Sequence, residues 1–107
     1  MMLVSFDVLD APRCEDLPLG SYVAKVVGSA ALLPCTVAGN PFPQIEWSKN
    51  GGLLPEGRYA ITTKGLTISN LKKEDGGSYQ VTLRSIAGTV ETVLELIVKS
   101  KFSLATR

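Results

Sequence analysis

The residues of this chain that could do chemistry are few: two cysteines, Cys14 and Cys35, the adjacent carboxylates Glu74 and Asp75, and two glycine pairs. A nucleophilic thiol or hydroxyl needs a base beside it, and the chain has no histidine. That removes Ser-His-Asp and Cys-His arrangements, and it removes imidazole as a metal ligand or as a base poised near neutral pH. The cysteines stand 21 positions apart with no second pair, so a zinc site would have to be completed by carboxylates. Glu74 and Asp75 are neighbours, and neighbouring side chains in a strand or turn diverge, whereas acid-base work needs two groups converging on a pocket. Gly51-Gly52 and Gly76-Gly77 lack the spacing that lays backbone amides around phosphates, and they read as turns. The expectation is a protein without catalytic residues, metal or cofactor, and not an enzyme.

Charge narrows the partners. Eleven basic and ten acidic residues are spread along 107 positions, which leaves no field to gather phosphates or anionic lipid. Nucleic acid is therefore not expected as a partner, and the pair Lys72-Lys73 reads as solvated turn residues. MMLVSFDVLD has no basic n-region and meets Asp7 early, unlike a secretory leader. The apolar stretches ALLPCTVAG and VLELIV carry Pro34 and Glu95 and fall short of the roughly 20 residues that span a bilayer, so membrane insertion by this piece is not expected. The partner left is protein.

The elements that must position these residues are strands. Hydrophobic residues are 45% of the chain and charged residues 20%, the balance of a globular domain with a core. From residue 20 the pattern alternates with period two and is broken every eight to twelve residues by Gly, Pro, Asn or Asp. Ala31, Leu33, Cys35 and Val37 share one face of one strand; Ile45 and Trp47 point inward from the next, which ends at Asn50-Gly51. Leu66 and Ile68 do the same in GLTISNL, as do Tyr79, Val81 and Leu83 in SYQVTLR. Leu94, Leu96 and Val98 alternate against Val93, Glu95 and Ile97. No sustained helical stripe with caps is present, so seven or eight antiparallel strands in two packed sheets are expected.

Cys35, Trp47 twelve residues later, the inward Leu66 and the run Asp75-x-Gly77-x-Tyr79 together resemble an immunoglobulin-like domain of the intermediate, or I-set, type over about residues 12–99. The resemblance implies structural roles. Trp47 packs on Cys35 between the sheets, Tyr79 forms a tyrosine corner by bonding back to nearby backbone, and Asp75 pairs with Arg58. The core it implies is Cys35, Trp47, Leu66, Ile68, Tyr79, Val81 and Leu83. In the family a cysteine stands where this chain has Val81, so the expectation is an all-β, two-sheet antiparallel sandwich without the inter-sheet disulfide. Cys35 would then pack reduced, as a small hydrophobe.

That absence suits a reducing compartment, and YQVTLRSIAGT is similar to modules of the titin, twitchin and myosin-binding protein group. The chain also has no Asn-x-Ser/Thr acceptor. Against this, some cell-surface members lack the same bond, and LLPCTV is common among them. Cys14 falls on the first strand, which often pairs with the second, and a Cys14–Cys35 bond would need a Cα separation of about 4.4–6.8 Å. The favoured expectation is a cytoplasmic, cytoskeletal or sarcomeric module acting as spacer and protein-interaction unit, beside neighbouring modules of the same chain. The alternative is a cell-surface adhesion or receptor ectodomain that binds another protein through a sheet face.

Residues 1–11 read as a leader or the end of a preceding module, because Val4, Phe6 and Val8 alternate before Asp10-Ala11-Pro12. Residues 12–99 read as the domain and 100–107 as a tail or linker. Phe42, between two prolines, and Leu53 and Leu54 in GGLLPEG are apolar residues in loops, and they are the candidate interface.

Overall fold

The computed structural model describes residues 9–15, 22–50 and 52–100. Val4, Phe6 and Val8, together with residues 101–107 of the expected tail, lie outside the described residues. Among the described residues nine strands follow one another: β1 (Asp10–Cys14), β2 (Tyr22–Val26), β3 (Ala31–Pro34), β4 (Val37–Asn40), β5 (Gln44–Lys49), β6 (Tyr59–Thr62), β7 (Gly65–Ile68), β8 (Gly77–Ser85) and β9 (Gly88–Lys99). The helical content among these residues is one 3-10 turn, Lys73–Asp75.

One layer has the order β2-β9-β8-β5; β8 runs antiparallel to β5 and β9, and β2 lies parallel to β9. The other layer combines β3-β7-β6 with β1-β4. β3 and β4 act as one long strand, since Cys35 and Val37 donate their N–H groups to Lys64 and Thr63 across the break. The count exceeds the expected seven or eight for this reason, and because the first stretch contributes one strand to each layer.

Alternation then builds the core. Ala31, Leu33, Cys35 and Val37 are buried from one layer, and Tyr79, Val81, Leu83, Leu94, Leu96 and Val98 from the other. Register stacks Trp47 beside Val81 and Ile45 beside Leu83. At the edge of β7, Gly65 has φ +141°, and a Cβ there would sit 2.2 Å from the Leu33 carbonyl oxygen. Only glycine lets the two backbones approach this closely.

One expectation is overturned. The sandwich is not free of a disulfide: Cys14 and Cys35 are bonded, with Cα atoms 4.7 Å apart, inside the range a bridge requires. The physical reason is lateral. The family's partner for Cys35 would stand across the core, at the place Val81 fills, whereas β1 lies beside β4 with Cys14 opposite Val37 and supplies the sulfur from within the same layer.

Candidate functional site

Three groups of residues stand out: a polar lock at one pole, exposed Phe42 and Ile86 at the other, and the outer face of one sheet between them. The lock is built where the 3-10 turn leads into β8. Arg58, just before β6, donates from Nη1 and Nη2 to the two Asp75 carboxylate oxygens at 2.7 and 2.9 Å. Its Nη1 also donates to the carbonyls of Ser69 and Asn70. The same carboxylate accepts the Lys72 N–H at 2.8 Å, and the Asp75 carbonyl accepts the Tyr79 hydroxyl at 2.5 Å.

The Asp75 side chain is only 4% exposed, which makes this a partly buried, bidentate pair rather than a surface one. The Arg58 guanidinium holds the Asp75 carboxyl below the ordinary carboxylate range; burial pushes the other way, and the Lys72 N–H reinforces the lowering. Burial, with the Asp75 charge beside it, pushes the Tyr79 phenol up to about 12. Lys49 lies 5.9 Å over the Tyr79 ring and donates to the Glu74 carbonyl. With every acceptor of the lock engaged, its chemistry is positional.

The structure separates the apolar loop residues. Phe42 is 56% exposed, in the loop that follows the cis Asn40–Pro41 bond, and lines an open hollow of about 420 Å³ with Pro41, Arg84 and Ile86. Leu53 is 88% exposed, while Leu54 is half-buried against the core. Both line a second hollow of about 340 Å³ with Trp47 and Tyr59. Phe42 precedes β5 and Leu53 follows it, so a strand of six residues, about 20 Å long, stands between them. They do not form one surface. Ile86, 84% exposed, joins Phe42 instead, a neighbour that the pairing of β5 with β8 reveals, since it sets Gln44 opposite Arg84.

Also missed by loop-based reasoning is the outer face of β2 and β9. Tyr22, Val26, Val93 and Ile97 are all 40% exposed or more, and parallel register sets Tyr22 beside Glu95 and Ala24 beside Ile97. The available signal was that β9 carries Val93 and Ile97 on the face opposite Leu94, Leu96 and Val98. Trp47 is buried from the core side, and its indole Nε1 has no hydrogen-bond partner among the described residues. Those residues contain no group of three or more metal-ligating side chains and no helix long and apolar enough to cross a membrane.

Two packed β layers, antiparallel except where β2 joins β9, with a core tryptophan, a tyrosine bonded four residues back and an Arg-Asp lock define an immunoglobulin-like sandwich. The Immunoglobulin I-set domain family matches residues 18–98, and the chain belongs to that family. Among similar curated proteins, cell adhesion molecule DSCAML1 of Gallus gallus is 38% identical over 96 residues, which is 85% of this chain and 5% of that protein. Neuronal cell adhesion molecule of Gallus gallus is 38% identical over 97 residues, 87% of this chain and 8% of that protein. The chain thus spans less than a tenth of the relatives it matches.

Solved structures of the same architecture include Sidekick-1 immunoglobulin domains 1–4, with TM-score 0.74 and 28% identity, covering 85% of this chain and 25% of that one. A chimeric titin Z1Z2 has TM-score 0.72 and 27% identity, covering 88% of this chain and 99% of that one.

Proposed function

We propose that this chain is a non-catalytic recognition module of a larger, multi-module adhesion protein, lying outside the cell and binding another protein through a sheet face. The observation that carries the reading is the Cys14–Cys35 bond. Disulfides form and persist in oxidising compartments and are rare among cytosolic proteins, where thiols are kept reduced. The curated relatives support the same direction by their adhesion names. A cytoskeletal spacer has less support, because titin enters through likeness of structure. Domain limits of 12–99, with Asp10-Ala11-Pro12 already in strand β1, and contact with neighbouring modules belong to this proposal.

The test is topology and redox state in the cells that make the protein. Protease added to intact cells should remove the chain, and the recovered fragment should carry Cys14 and Cys35 bonded after alkylation and mass analysis. Protection from external protease, with both thiols open to alkylation, would return the protein to the cytoplasm.

A further inference from the structure

The β2-β9-β8-β5 layer ends at β5, and the register shows which of its main-chain groups are already bonded. The Asn50 N–H donates to the Ser78 carbonyl, so the hydrogen-bonded pairs with β8 recur at every second residue from there, at Ser48, Glu46 and Gln44. The N–H and C=O of Ile45 and Trp47 therefore point away from β8, to the edge. Among the described residues they meet no partner there; the segment after β5 covers only Lys49, whose carbonyl accepts the Gly52 N–H. Edge strands are shielded from stray pairing by proline, a bulge or an inward-pointing charge. From Gln44 to Ser48 this edge has none of the three.

Beside the edge, the space between the layers is open. The hollow of about 340 Å³ lies between Trp47 of β5 and Tyr59 of β6, with Leu53 and Leu54 on the connecting segment. Its one charged lining residue is Glu56, exposed and in no ion pair among the described residues. Along β5, Ile45 and Trp47 face inward and Glu46 outward, its side chain 70% exposed and held by a single Arg84 contact at 3.3 Å. A strand added beside β5 takes on the same alternation. Its inward residues meet Trp47, Leu54 and Tyr59, and its outward residues stand beside Glu46, so apolar residues alternate with basic ones. β6 also has an open edge on this side, but all four of its residues are exposed, and it offers an added strand no buried face to continue.

We infer that the free edge of β5 takes up an extended segment of a partner protein, one in which apolar residues alternate with lysine or arginine, as an added antiparallel strand. Main-chain bonds to Ile45 and Trp47 hold the segment, while the hollow and the carboxylates of Glu46 and Glu56 select its sequence. This goes beyond the sheet-face contact proposed above and uses a separate surface.

The experiment titrates the oxidised 107-residue chain with a synthetic peptide of about ten residues, alternating valine and lysine and capped at both ends. The readouts are amide hydrogen exchange by NMR and the fluorescence of Trp47, the chain's one tryptophan. At saturation, exchange of the Ile45 and Trp47 amides should slow about tenfold or more, while the Glu46 and Ser48 amides, already bonded to β8, should change little. In an antiparallel ladder the bonded residues lie opposite one another and share a face, so N-methylation of the valines should abolish binding and N-methylation of the lysines should spare it. Glu46→Lys should weaken binding about tenfold, with a thermal melt confirming that the variant folds, and a valine-glutamate peptide should not bind.

Protection of Tyr59 and Ile61 in place of Ile45 and Trp47 overturns the inference. So does equal binding by the valine-methylated peptide or by Glu46→Lys, or no binding at any soluble concentration. None of these results touches the Cys14–Cys35 bond or protease access on cells, so the adhesion reading stands or falls separately.

Discussion

The Tyr79 hydroxyl donates to the Asp75 carbonyl four residues earlier, while the Asp75 carboxylate holds Arg58. One residue thus ties the start of β8 to itself by its backbone and to the start of β6 by its side chain. Two kinds of titration act on this single junction, from opposite ends of the pH scale.

At high pH the weak point is the phenol. Its value is pushed up to about 12 in the folded chain, against an ordinary 10.0, so the folded state favours the neutral form. The associated stability is complete below pH 10.0 and is lost as pH rises toward 12. Urea unfolding between pH 8 and 12 should show this decline, and Tyr79→Phe should flatten it while costing roughly 1 kcal/mol at neutral pH. An equally steep alkaline decline in the variant would mean that another group is responsible.

The acid limb belongs to Asp75. Its folded value is depressed from 3.8, chiefly by the Arg58 hydrogen bonds, so its contribution is present above pH 3.8 and disappears as pH falls through the lower folded value. Asp75→Ala should lose roughly 1.5–3 kcal/mol at pH 7. The difference between wild type and variant should shrink in acid denaturation curves, and a gap constant down to low pH would contradict the assignment.

Removing the covalent link should be costly without abolishing the fold. A closed loop of 21 residues corresponds to about 3 kcal/mol in the chain-entropy account. Cys14→Ser should lower the urea midpoint accordingly and leave the far-ultraviolet spectrum unchanged, since fourteen apolar side chains remain buried in the core. The same loss should follow from reductant in the wild type and be absent in the variant.

Phe42→Ala should leave thermal stability within about 0.5 kcal/mol, because the ring is more than half exposed. A larger loss would make Phe42 a cap on the end of the core and remove it from any interface.

Strand positions were legible because burial demands alternation: Ala31, Leu33, Cys35 and Val37 announce their face by period two, and they are buried. The spacing of Asp75 and Tyr79 was legible for a related reason, since a bond between residues four apart depends on local backbone alone. Lateral relations were not. Whether Cys14 reaches Cys35 depends on which strand lies beside β4 and in what register, and spacing along the chain carries neither. β9 posed a similar difficulty. With Leu94, Leu96 and Val98 on one face and Val93 and Ile97 on the other, its pattern leaves unsaid how much of the second face stays bare until β2 is seen to cover only its edge. Phe42 and Leu53 looked alike as apolar loop residues, and only the length of β5 separates them.

The placement of Cys14 has a mechanical consequence. β1 begins at the pole of Phe42 and Ile86, and β9 ends at the opposite pole, so tension between neighbouring modules would pull these strands in opposite directions. Without the sulfur bridge, that load would pass along the chain into β2 and shear its parallel hydrogen bonds with β9. With it, force arriving at Cys14 crosses directly to Cys35 within the same layer, and the first tether to bear weight is covalent.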